Sequence, residues 1–206
     1  LYIPKQFRVD DQKKLDDFIK SNSFGMLVSI NNSEPVATHL PFLYDEQSNR
    51  LVGHMAKVNN QWNGLDQNRV LVIFPGPHAY ISPSWYEEPN TVPTWNYVSV
   101  HVYGEINMIE NQEEIEDILA QTVDYYEADR SEPWTSPMNS SFNQSLINHI
   151  VAFEIKITRM EGAWKLNQHH PIERRQKVID QLNQQENQDA KEIARLMSHT
   201  IRNPNE

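Results

Sequence analysis

Eight histidines, at positions 39, 54, 78, 101, 149, 169, 170 and 199, are the side chains best suited to chemistry in a chain with no cysteine. Metal ligation needs two rings on one face, as in H-x-x-x-H or H-E-x-x-H, and neither spacing occurs. His39 and His54 meet only if their strands pair. Imidazoles so scattered read as neutral, hydrogen-bonded groups at strand edges, and no metal site is expected. The lack of cysteine removes disulfides, thiolate metal sites, iron–sulfur ligation and thiol nucleophiles together. Ser82 and Ser84 lie beside Pro83 with no base at a defined offset, and there is no G-x-S-x-G, so no catalytic residue can be named.

Phosphate binding is constrained in the same way. The six glycines, at 25, 53, 64, 76, 104 and 162, form neither G-x-G-x-x-G nor a Walker loop. Any phosphate must therefore be held by side chains and isolated backbone amides. The densest polar and aromatic stretch runs from Phe74 to Tyr97 and holds five of the twelve prolines and two of the five tryptophans. Proline restricts such a segment before anything binds, which suits a pocket wall, a dimer contact or a rigid connection.

The elements that position these groups follow from periodicity. Leu15, Phe18 and Ile19 predict a helix over Asp10–Asn22, with Asp10 or Asp11 as cap. Residues 24–30, 35–44 and 50–56 read as a β-meander broken by turn-rich NNSE and DEQSN. Val70–Phe74 is a continuous apolar run suited to a strand buried on both faces. Strict alternation predicts strands over Trp95–Gly104 and Val151–Thr158. Between them Ile115, Ile118, Leu119, Thr122, Val123 and Tyr126 repeat at three and four behind a capping-box spacing, Asn111 to Glu114. Pro171 in a first turn opens a helix with Val178, Ile179 and Leu182, and a second follows with Ile193, Ala194, Leu196, Met197 and Ile201. This final pair lacks the glycine join of a helix-turn-helix reader and carries only Lys191, Arg195 and Arg202 on its second member, so it reads as a packing or dimer-bracing pair.

The tally, six strands on short turns with one helical crossover, describes a small antiparallel barrel with helices attached, of the α+β class. The 206 residues form one domain with a helical appendage: 1–168, including a helical crossover over 111–148, then 169–206. The net charge of −10 is concentrated, with one basic and ten acidic residues between 105 and 134, as expected of a solvated helix face. No segment carries the basic concentration of a nucleic-acid footprint. There is neither an 18-residue apolar run nor a signal-peptide core, so the expectation is a protein with no membrane association, located in the cytoplasm.

Several blocks then carry a resemblance: YIPKQF at 2–7, NSFGMLVS at 22–29, ATHLPF at 37–42, GHMAKVNNQW at 53–62, VIFPGPHAYISPSWY at 72–86, VPTWNYVSVHVYG at 92–104 and WKLNQ at 164–168. Together they resemble the PaiB family of bacterial proteins. The resemblance implies a six-stranded split β-barrel of the FMN-binding, pyridoxamine-phosphate-oxidase-like type, working as a homodimer with flavin at the subunit interface. It also implies a negative transcriptional regulator of protease production and sporulation, acting through DNA or a protein partner.

In such barrels flavin contacts come from the second and third strands and the residues just after. Here these are Thr38, His39 and Leu40, then His54, Met55, Ala56 and Lys57, then Asn60 and Gln61. A glycine-poor chain must hold the phosphate with Lys57 and nearby hydroxyl and amide groups. A late segment supplies Lys165 and Gln168 from the partner subunit. Asn167 stands where serine is usual, His169-His170 where asparagine and a basic residue are common, and Gln61 where related barrels place a cation. Losing one charge-assisted bond weakens phosphate binding by roughly 1.5–3 kcal/mol. Two other readings follow from the same superfamily: an FMN-dependent oxidoreductase, and a haem-handling barrel with His169 or His170 on the iron.

Overall fold

The computed structural model describes residues 1–134 and 147–203. In chain order the elements are β1 (Arg8–Val9), α1 (Gln12–Ser21), β2 (Phe24–Asn31), β3 (Glu34–Pro41), β4 (Leu43–Asp45), β5 (Arg50–Ala56), β6 (Asn68–Ile81), β7 (Thr94–Ile109), α2 (Gln112–Glu127), β8 (Ile150–Lys165), α3 (Ile172–Asn183) and α4 (Gln188–Arg202). The strands pair in the order β3-β2-β6-β7-β8-β5-β4, with β1 on β8. The six expected strands are β2, β3, β5, β6, β7 and β8; the short β1 and β4 join them. The expected crossover over 111–148 contains α2, and its residues 135–146 lie outside the described residues.

The chain divides into two compact units. One comprises Leu1–Leu15, Pro75–His101 and the chain from Glu161 onward; the other comprises Asp16–Phe74 and Val102–Met160. Strands β6, β7 and β8 contribute residues to both.

In the second unit β2 and β3 form a hairpin, with Asn31 opposite Glu34. Its two turn residues, Asn32 and Ser33, both have positive φ (49° and 68°), the handedness that matches strand twist in a two-residue loop. The strand expected over 35–44 is broken at Phe42, whose N–H donates to Ser23 O at 2.9 Å while its ring enters the core. There it meets Phe74 and Phe153 edge-on, at 5.6 and 6.2 Å between centroids. Val70–Phe74 differs from expectation on one face. Val70, Val72 and Phe74 are buried, but Leu71 and Ile73 remain half-buried on the other side of β6. An unbroken apolar run shows that both faces avoid water; it does not show that both are covered within one chain. The acidic α2 is capped as its spacing predicts, with Asn111 accepting from Glu114 N at 3.0 Å.

In the first unit α3 and α4 pack through Val178, Ile179 and Leu182 against Ala190, Ile193, Ala194 and Met197, all buried. They run antiparallel, since the Arg175 guanidinium near the start of α3 donates to Thr200 near the end of α4. Asn187 caps α4 by accepting from the Asp189 and Ala190 amides at 2.7 and 3.3 Å. Pro171 is the N-cap of α3 and not a first-turn residue, so the expected helix begins one position later. Among the described residues, no helix is long and apolar enough to cross a membrane.

Candidate functional site

Residues Thr38 to Gln61 of the expected flavin set lie in the second unit, on β3, β5 and the turn that follows β5. Strand alternation separates them. Thr38 pairs with Leu27, on the side of β3 that carries buried Leu40. His39 pairs with Met26 on the opposite face, exposed and stacked on Phe24 at 6.2 Å. On β5, Met55 is buried, while His54, half-buried, faces the other way and is held below the usual histidine range by burial.

Beyond Ala56, which is exposed, the chain turns, with Asn59 N donating to Ala56 O at 2.8 Å. The Asn59 side chain accepts from Gln61 N at 3.0 Å and donates to Thr38 Oγ1 at 2.9 Å. These bonds tie the turn to β3. Gln61, only 2% exposed, sends its Nε2 group towards Leu27 O, Ser29 Oγ and Val36 O at 3.0–3.2 Å. It clamps the β2–β3 hairpin from within, and its Oε1 has no protein partner among the described residues. Lys57 and Asn60 are exposed, and among the described residues the Lys57 ammonium has no ion pair. The structure thus brings Thr38, Asn60 and Gln61 to one turn with Lys57, and sends His39, Met55 and His54 elsewhere on their strands.

Lys165 and Gln168 belong to the first unit. Gln168 closes a local turn, accepting from Leu166 N at 2.8 Å and donating to Trp164 O, with Asn167 left-handed at φ 60°. Lys165 opens instead on a cleft of about 370 Å³ lined by Phe7, Tyr86, Thr94, His169, His170 and Arg174, among others. Its ammonium donates to Thr94 Oγ1 at 2.6 Å, and burial lowers its pKa. The two imidazoles lie 3.9 Å apart, with Phe7 edge-on to His169 at 5.5 Å and Tyr86 tilted against His170 at 5.6 Å. Burial first, then the neighbouring His169 and Arg174, push the His170 pKa down to about 4. Burial, followed by Lys165 and Arg174, lowers His169 too. Arg174 carries no acceptor, so it donates to His170 Nδ1 at 3.1 Å and the His170 proton sits on Nε2. That tautomer has no lone pair on Nε2 to offer an iron.

A family model described as "Putative FMN-binding domain" matches residues 1–159. The Bacillus subtilis (strain 168) protein named "Protease synthase and sporulation protein PAI 2" is 38% identical over 207 residues, covering 98% of this chain and 99% of that protein. The chain belongs to the PaiB family. Among solved structures, the flavocytochrome Anf3 from Azotobacter vinelandii matches with a TM-score of 0.62 at 12% identity, over 79% of this chain and 72% of that one. An FAD and haem binding protein from Mycobacterium smegmatis matches at 0.56 with 13% identity, over 77% and 73%. At such identities the likeness is one of fold: an α+β antiparallel sheet with C-terminal helices.

The family match contains Lys57 and its neighbours but ends before Lys165. The donors near Lys57 fit a phosphate monoester: an exposed ammonium, the Asn60 carboxamide, and the Thr38 hydroxyl, which accepts from Asn59 and retains its own proton to give. Gln61 lacks a free donor for that role. Sequence reasoning missed Asn59, although its place in an Asn-Asn pair before a turn is a capping signal. It also missed Tyr86, Thr94 and Arg174, which only the fold gathers around Lys165.

Proposed function

We propose that this chain is a negative regulator of transcription of the PaiB type, concerned with protease production and sporulation. In this reading it works as an FMN-binding homodimer and acts through DNA or a protein partner. The observation that carries the flavin part is Lys57: within the family-matched segment, an exposed ammonium without an ion pair among the described residues lies just after β5, in the turn that holds Asn60 and that Asn59 ties to Thr38. Lys57 would hold the phosphate with Asn60 and the Thr38 hydroxyl. When bound, FMN supplies a redox-active isoalloxazine ring.

The homodimer is supported by one face of the β3-β2-β6 sheet. Phe24, Met26, Val28 and Ile30 share that side of β2, with Ala37 opposite Val28 on β3 and Ile73 and Leu71 opposite Met26 and Val28 on β6. Phe24 and Ile30 are 60% and 65% exposed. An apolar sheet face of this extent is the kind of surface a second copy covers.

The test is titration of flavin-free protein with FMN, read by quenching of flavin fluorescence. Lys57→Ala is expected to weaken affinity roughly 10- to 100-fold, the loss of one charge-assisted contact. Equal affinity in the variant removes the phosphate assignment; no binding by the wild type removes the flavin. A shift of labelled promoter DNA that fades with added salt would separate direct DNA contact from a protein partner.

A further inference from the structure

The cleft around Lys165 sets a half-buried ammonium among aromatic rings. A half-buried ammonium is poorly solvated, and ordinarily a carboxylate lies beside it. Lys165 has only the Thr94 hydroxyl among the described residues. The other cation of the cleft is already neutralised: Arg174 makes a two-point contact with Glu88, and its guanidinium lies 4.9 Å over the Tyr86 ring. Burial first lowers the pKa of both imidazoles, that of His170 to about 4, which favours their neutral forms. Among the described residues, Lys165 is therefore the cation of the cleft that no carboxylate compensates.

Two polar groups beside it have a proton to give. Thr94 has accepted from Lys165 and keeps its own O–H, and His170 carries its proton on Nε2. Ring edges and faces from Phe7, Tyr86, His169 and His170 form part of the walls. A volume of about 370 Å³ lies at the lower end of small-molecule pockets, roughly 300–1,000 Å³.

We propose that this cleft binds a small planar organic anion, an aromatic carboxylate, with its charge on the Lys165 ammonium and its ring among Phe7, Tyr86 and the two histidines. The ring selects against compact inorganic anions, and the ammonium selects against neutral and cationic aromatics. The site shares no residue with the Lys57 turn, although the family resemblance gives Lys165 a flavin contact in the partner subunit; a benzoate titration of flavin-free protein and an FMN titration of Lys57→Ala therefore fail separately.

The experiment uses flavin-free full-length protein and benzoate as the probe, with the His169 and His170 imidazole signals followed by NMR. Saturable shifts of both rings are expected. Lys165→Met should weaken benzoate roughly 10- to 100-fold, and Lys165→Arg should retain most of the affinity. Cyclohexanecarboxylate, inorganic phosphate and benzylamine should each bind at least about tenfold more weakly than benzoate. Should Lys165→Met misfold by near-ultraviolet circular dichroism, Thr94→Val replaces it, with a several-fold loss expected. Absence of saturable shifts, unchanged affinity in the variant, or phosphate or cyclohexanecarboxylate binding as tightly as benzoate overturns the proposal.

Discussion

Val28 on β2 stands directly opposite Leu71 on β6, and both side chains are half-buried on the sheet face away from Leu27 and Val72. With Met26 and Ile73 they form two adjacent apolar pairs that one chain leaves partly in water. Val28→Lys is expected to convert a dimer to a monomer in sedimentation velocity while leaving the far-ultraviolet circular dichroism intact. A wild-type protein that sediments as a monomer at micromolar concentration removes the homodimer.

The Gln61 clamp makes a second prediction. Its amide protons are shared among Leu27 O, Ser29 Oγ and Val36 O inside the β2–β3 hairpin. Gln61→Leu should destabilise by about 1–3 kcal/mol, because buried acceptors lose their donor. The loss should appear as a lower denaturant midpoint at unchanged m. An unaltered midpoint would show that the clamp contributes nothing to folding.

Gly104 on β7 is a site of close approach. A Cβ there would lie 2.5 Å from both Ile155 Cγ2 and the Lys156 carbonyl oxygen. The isoleucine methyl can rotate; the carbonyl belongs to β8 and cannot. Gly104→Ala is therefore expected to cost about 1–3 kcal/mol, which lowers Tm by roughly 2–4 °C per kcal/mol in a chain of this size. An equal or higher Tm contradicts the contact.

His170 supplies a pH prediction. Its folded pKa of about 4 lies below the usual unfolded value near 6.5, so between these limits the unfolded chain binds more protons. Stability from the neutral ring is complete above about pH 6.5 and is lost as pH falls towards 4. An imidazole midpoint near 4 is expected by NMR, and His170→Gln should flatten the stability slope in that window. A midpoint near 6.5 would place the ring in water.

Elements with a local signal were legible in the amino-acid order alone. Alternation of Val98, Val100 and Val102 marks a buried face of β7, and all three are at most 2% exposed. The Asn111 cap, the strand over Arg50–Ala56 and the position of Lys57 just beyond it were equally plain. These features rest on steric and hydrogen-bonding preferences within a few residues. The same alternation implied that Thr38 and His39 face opposite ways, but it could not say which side was core. Gln61 looked like a ligand because nothing near it in sequence reports the Leu27, Ser29 and Val36 oxygens it serves. The break at Phe42 depends on room beside Phe74 and Phe153. The cleft at Lys165 exists only in three dimensions, since Phe7, Tyr86, Thr94 and His169 come from segments far apart in the chain and meet through strand pairing and helix packing. Such meetings are set by the burial of whole faces, a long-range quantity that no short window of sequence contains.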